Sequence, residues 1–233
     1  MTPIGFNPGV RPNIIPGIGE YFAMPGLTLD GSCEKMLFEG IPGGPFDCWS
    51  NIQSSTHQLE IAINLLKQYI PWESERCSNL ELVDDKATLI GSYTPKVCDP
   101  IYQLDSGKFV LGMGDAVVLN DPIAGQGANN ASKCAKIYMD SILVHQDNSF
   151  NKQWMQNTFD SFWNDAQWST ALSNLLLIPP EPHVLELLNA ASQLPNLANY
   201  MANGFDNPVT LFPWITSPLE TKKMIEKFKF EYH

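Results

Sequence analysis

The stretch GDAVVLNDPIAGQGANNASKCAKIY runs from Gly114 to Tyr138. It follows KFVLGM (Lys108 to Met113), whose apolar run predicts a buried strand, and from Gln126 onward its spacing predicts a helix. Between the two lie Asp115, an Asp121-Pro122 step and Gly125-Gln126-Gly127. Open α/β sheets bind ligands beyond the carboxyl ends of their strands, which is where this reading puts Asp115. A carboxylate there accepts a hydrogen bond from a sugar-like hydroxyl. Gly125 to Asn129 opens a helix whose free N–H groups and positive dipole end attract negative charge. Pro122 stiffens the connection. The same residues also suit a plain strand-to-helix turn in which Asp115 caps a backbone group and the glycines allow tight packing. Taken alone, they leave both readings open.

Composition narrows the choice of partner. The net charge of −11 argues against nucleic acid, whose phosphates require Lys and Arg patches, and against an anionic membrane surface. A hydrophobic share of 44% with 17% charged residues suits a chain with a real core. No run of about 18 apolar residues predicts a transmembrane helix. The start, MTPIGFNPGVRPNIIPG, has no basic region followed by an apolar core, so no signal peptide is read there. Five cysteines at 33, 48, 77, 98 and 134, without a Cys-x-x-Cys pair, point to a reducing, cytoplasmic compartment.

Outward from the central stretch, the chain is strand-rich before it and helical after it. Residues 1–17 read as irregular. Asp30-Gly31 signals a hairpin, and Lys35 to Ile41 reads as a strand stopped by Pro42-Gly43-Gly44-Pro45. Leu59, Ala62, Ile63, Leu66, Tyr69 and Ile70 mark one face of a helix, with Ser55 and Gln58 as its capping box and Pro71 as its end. Residues 79–94 read as strands. Past Gln126, Ala128, Ala131, Ala135, Tyr138, Met139 and Ile142 mark a helix face whose small residues favour close packing on a sheet. Further helices are predicted from Asn151 to Ile178, from Glu181-Pro182, up to Gly204, and from the Ser217-Pro218-Leu219-Glu220 box. The fold class is therefore mixed α+β, without the regular βαβ alternation of a complete doubly wound domain.

The common catalytic constellations are missing. His57, His145, His183 and His233 have no partners at metal spacing, and there is no Gly-x-Ser-x-Gly or Walker lysine. Gly112-Met113-Gly114 and Gly125-Gln126-Gly127 each fail the dinucleotide fingerprint. The third glycine position is Val117 in one and Asn130 in the other.

The run GKFVLGMGDAVVLNDPIAGQGANNASKCAKI resembles the second flavin-binding motif of FAD-dependent aromatic monooxygenases. Its Asp-Pro-x-x-Gly-Gln-Gly-Ala-Asn form is most similar to the oxygenase component of styrene monooxygenase. Pro16 to Gly31, Leu175 to Gln193 and Phe205 to Pro218 also resemble that family. The resemblance implies that Asp115 bonds the ribityl chain of FAD, that Gly114 lets the backbone approach, and that Pro122 lies beside the isoalloxazine. Gly125, Gln126, Gly127, Ala128 and Asn129 would present backbone N–H groups to the N1–C2=O edge, which becomes negative on reduction. It further implies insertion of one oxygen atom, through a flavin hydroperoxide, into a small apolar aromatic or alkene. The reduced FAD would come from a separate NAD(P)H-dependent flavin reductase. A homodimer is left open, and no catalytic side chain is assigned.

The family's opening strand, Gly-x-Gly-x-x-Gly loop and helix have no counterpart in this sequence. The expectation is a fragment: residues 1–98 as a β-rich substrate-binding domain with one helix, and 99–233 as the C-terminal part of a p-hydroxybenzoate-hydroxylase-like FAD domain with a helical tail. The missing half on a separate chain, or lost flavin binding, are the other readings. A non-catalytic relic that binds an apolar ligand or a partner protein is the rival function.

Overall fold

The computed structural model describes residues 9–15, 17–77 and 79–230. Helices and small sheets mix in an α+β chain that divides into two compact units, 1–92 and 93–233.

The first unit is a three-stranded antiparallel sheet with two helices. β1 (Arg11–Ile15), β2 (Gly19–Thr28) and β3 (Gly31–Gly40) lie in the order β1-β2-β3. Alternation places Tyr21 and Ala23 in a core completed by Leu66 and Ile70 at the end of α1 (Ser55–Tyr69) and by Cys77 after α2 (Pro71–Arg76). Phe38 bridges Tyr21, Phe46 and Trp49 at ring separations of 4.9, 5.7 and 5.6 Å. Gly19 pairs with Gly40, and a Cβ on either would strike the chain near Phe46, at 2.3 Å from the Glu39 carbonyl and 2.6 Å from the Phe46 backbone respectively. Two bare backbones are what let Phe46 cross the sheet end and reach full burial.

A buried ion cluster ties sheet to helix. Arg11 on β1 donates Nε and Nη2 to Glu73 on α2, at 3.1 and 2.7 Å to Oε1, and Nη2 also meets Glu34 on β3. Glu73 is 2% exposed. The Glu73 hydrogen bonds hold the Arg11 pKa above its ordinary value against the opposing effect of burial. Burial is also the main force that raises the Cys77 thiol, to about 11.

The second unit is built on a helical hairpin. α3 (Gly127–His145) and α4 (Lys152–Leu176) run antiparallel, joined through Asn151, whose side chain accepts from the Trp154 N–H. Their seam buries Cys134, Tyr138, Phe159, Phe162 and Ala166 together with Val117 and Val118. Two small antiparallel pairs precede them: β4 (Lys96–Val97) with β7 (Val118–Leu119), and β5 (Ile101–Gln103) with β6 (Phe109–Leu111). α5 (Pro182–Ala191), α6 (Pro195–Asn203), α7 (Phe212–Ile215) and α8 (Pro218–Phe230) follow. They bury Leu187, Leu197, Trp214 and Phe228.

Several expectations change. Residues 11–15 form β1 rather than irregular chain, because they pair in register with β2; residues 1–8 and Pro16 lie outside the described part. The hairpin loop is Leu29-Asp30, and Gly31 already begins β3 at φ +130°. Ser54, not Ser55, caps α1 by accepting from the His57 N–H. Ser55 and Gln58 instead donate to the carbonyls of Asp85 and Leu89, and this side-chain tethering replaces the strands expected over 79–94. Pro71 ends α1 but begins α2, at a first-turn position where its missing N–H costs nothing. Lys108–Met113 is not a buried strand: β6 has three residues, half-exposed, in a hairpin with β5. The unit therefore opens with four short strands rather than one. On α3 the buried residues are Asn130, Cys134 and Tyr138, while Ala128, Ala131, Ala135, Met139 and Ile142 are exposed. The apolar spacing misleads because a polar Asn and a Cys lie at the seam positions.

Removing Arg11 leaves the buried Glu73 carboxylate, among the described residues, with only the longer ion contact to Arg76 at 3.6 Å. Arg11→Met should lower unfolding stability by about 3–5 kcal/mol, and adding Glu73→Leu should recover most of that loss. Urea titration of the three variants measures it; an Arg11→Met midpoint equal to wild type would contradict the assignment.

Candidate functional site

The Gly112–Asn129 segment is held from behind by α3. Tyr138 Oη donates to the Gly112 carbonyl at 2.9 Å. Cys134, wholly buried, receives the Gly114 N–H at its sulfur and packs beside Tyr138. Burial pushes the Cys134 thiol up, with the Gly114 N–H and the neighbouring Tyr138 hydroxyl acting the other way. Burial likewise raises the Tyr138 phenol. Both groups therefore stay neutral at pH 7 and serve as fixed anchors. They pin Gly114 and Asp115, the start of a 3-10 turn (Gly114–Ala116), against the second and third turns of α3. That places the turn about 10 Å along the axis from the helix start, at 1.5 Å per residue.

Asp115 is exposed, and its carboxylate has no hydrogen-bond partner among the described residues. Capping falls to another residue, Asp121. It is 6% exposed, and its Oδ1 accepts from the Ile123 N–H at 3.0 Å. Its Oδ2 accepts from the Tyr93 hydroxyl at 3.3 Å. This Asx turn leads into a 3-10 turn, Pro122–Ala124, with Pro122 exposed at its first position and Gly125 closing it at φ +62°. Gly125 thus answers a left-handed backbone requirement.

Gly127 answers none. Its φ is not in the left-handed region, and a Cβ there would meet nothing within 4 Å. It begins α3, which has no side-chain cap. Gln126 is buried, and its Nε2 donates to the Phe205 carbonyl at 2.8 Å, so its side chain fixes the helix start rather than facing outward. Ala128 and Asn129 are exposed; Asn129 Nδ2 reaches Gln126 Oε1 at 3.5 Å. The result is a helix end with open first-turn N–H groups, beside a bare glycine and an exposed proline, with a free carboxylate farther along the same helix. It suits an elongated ligand with an electron-rich edge at one end and hydroxyls at the other.

The structure gathers Gly114, Asp115, Pro122, Gly125, Gly127, Ala128 and Asn129 onto two neighbouring turns and turns only the Gln126 side chain inward. The sequence reading missed Asp121, Tyr93, Cys134 and Tyr138. The Asp121-Pro122 dipeptide was the signal for the cap; the anchors carried no local signal.

Asp121→Ala should cost about 0.5–2 kcal/mol of stability through loss of the cap. Asp115→Ala should change stability by less than about 0.5 kcal/mol, as an exposed side chain without a partner. Thermal unfolding of the two variants measures the contrast; equal losses would contradict it.

Residues 1–76 match the domain family described as "Styrene monooxygenase A putative substrate binding domain". The chain is 27% identical over 212 residues to the styrene monooxygenase StyA of Pseudomonas fluorescens, covering 87% of this chain and 51% of that protein. It is equally similar, with the same coverage, to the StyA of a Pseudomonas species. The chain thus spans about half the length of the curated relatives it matches. By these matches residues 1–76 are similar to that substrate-binding domain, and the chain as a whole is similar to styrene monooxygenases.

Proposed function

We propose that this chain carries the substrate-binding portion and part of the flavin site of an FAD-dependent monooxygenase. The full protein would transfer one oxygen atom to a small apolar aromatic or alkene, with reduced FAD supplied by a separate reductase. The single observation that carries the flavin reading is Gly127. Neither its backbone conformation nor its neighbours in this chain require a glycine, while it opens an uncapped helix end in the family's flavin motif. The free Asp115 carboxylate supports the same reading.

The donor set suits the group. Asp115 would accept from the ribityl hydroxyls. Gly127, Ala128 and Asn129 would hold the ring's N1–C2=O edge through N–H groups and the positive end of α3. Bound FAD supplies the redox chemistry with molecular oxygen. This chain's own residues orient it: Tyr138 and Cys134 fix the Asp115 turn, and Asp121 and Gln126 fix the helix start.

The pyrophosphate cradle is not in the described sequence, so the chain alone should bind FAD with a dissociation constant above about 1 μM, weaker than about −8 kcal/mol. Titration by flavin fluorescence measures it, and submicromolar binding would contradict the division of the site.

The activity test uses a chimera joining this chain to the portion of the Pseudomonas fluorescens relative that it does not cover. With a flavin reductase, NADH, styrene and ¹⁸O₂, labelled epoxide is expected. In the same chimera Gly127→Val should abolish product and flavin retention, with apo stability within about 1 kcal/mol of the parent. A chimera that binds FAD and is reduced, yet yields no labelled product, would favour the rival reading of a non-catalytic binding chain.

A further inference from the structure

Three buried polar groups at one level of the α3–α4 seam have unused hydrogen-bonding capacity. Asn130, 3% exposed, has no partner for either Nδ2 or Oδ1; Ser169, fully buried, has none for Oγ; Asn120, 9% exposed, has none for Nδ2. Asn120 Oδ1 is occupied, accepting from Thr170 Oγ1 at 2.8 Å, so Asn120 sits against α4 beside Ser169.

The register of the helical hairpin brings Asn130 to the same place. Lys133 Nζ meets Asp165 at 2.8 Å, Tyr138 faces Phe162 at a ring separation of 6.5 Å, and His145 faces Trp154 at 5.1 Å. One turn beyond the Lys133–Asp165 pair, Asn130 lies opposite Ser169. At the Tyr138 level aromatic rings fill the seam; toward the Asn130 level the buried residues of α4 are Ala166, Ser169, Leu172 and Ser173. Three of these four side chains are small, and two of them are polar.

We propose that Asn130, Ser169 and Asn120 bind one ordered internal water. Each orphaned amide or hydroxyl would cost about 1–3 kcal/mol if left dry, so three at one level call for a shared partner. Exposures of 3%, 0% and 9% keep the three groups away from bulk solvent. The hydrogen bonds balance. Water donates to Asn130 Oδ1 and Ser169 Oγ and accepts from Asn120 Nδ2 and Asn130 Nδ2, four partners for a molecule that typically finds about three. Such a water joins the residue before Asp121 to the first turn of α3. It thereby fixes the Pro122 turn relative to the helix start. The importance of that link for oxygen transfer rests on the flavin reading; the water itself does not.

The test is read on the flavin-free chain, so its failure and that of the flavin reading are distinguishable. Water-selective NOE spectra of the labelled wild-type chain should show contacts of a long-lived water with the Asn130 and Asn120 side-chain amides. Absence of these contacts would overturn the proposal. Asn130→Leu should lower Tm by about 2–6 °C, since it strands the remaining groups and expels the water. If the site were dry, the same substitution would remove an unsatisfied amide, and a raised Tm would overturn the proposal. Should Asn130→Leu fail to fold, the wild-type spectra decide.

Discussion

Helix α3 is held by its seam with α4, and every feature of the candidate site depends on that seam. Cys134 and Tyr138 pack on Phe159, Phe162 and Ala166, and from this fixed position they reach back to Gly114 and Gly112. One helix thus presents its own N-terminus and, about 10 Å along its axis, carries the turn that displays Asp115. A shift of α3 against α4 would move both together. Rigid support of this kind is what a site needs when its chemistry belongs to a bound group and the protein supplies placement.

The second constraint is how polarity is divided among neighbouring residues. Asp121 and Gln126 are buried and satisfied inside the chain, while Asp115, Pro122 and Asn129 face outward. Two aspartates six positions apart therefore have opposite duties. Gly125 and Gly127 divide in the same way: the first satisfies a left-handed turn, and the second has no intrachain reason to be glycine. It is this surplus on which the proposed ligand-facing reading of the loop rests.

Much of this was legible in the sequence, and the pattern of what was not has physical causes. Pro182 and Pro218 at first-turn positions, Asn151 as a cap and Gly204 as a stop act locally, so α4, α5, the end of α6 and α8 could be placed, while the short α7 was not read. Lys35 to Ile41 read as a strand because its alternation is local. β1 could not be read, since Arg11–Ile15 becomes a strand only by pairing with β2 and by the ion contact to Glu73. The buried face of α3 was misread because a Cys and an Asn occupy seam positions while alanines lie outside. The 79–94 stretch was misread as strands because its order comes from distant side chains, Ser55 and Gln58, binding its carbonyls. The outward-facing candidate residues were singled out through a motif; the anchors behind them were not, since their partners are separated in sequence by the length of a turn and two helical turns.

The proposed flavin contacts do not require a phosphate cradle in the same chain. In the proposed reading the ring edge and the polyol would be held by α3 and the turn it supports, all within 93–233. Amide NMR of the labelled chain titrated with FAD to millimolar concentration tests this most directly. Shifts confined to the neighbourhood of Gly114, Asp115 and Gly125 to Asn129 are predicted. No shifts at those amides, or shifts concentrated elsewhere in the chain, would contradict a flavin edge at the start of α3.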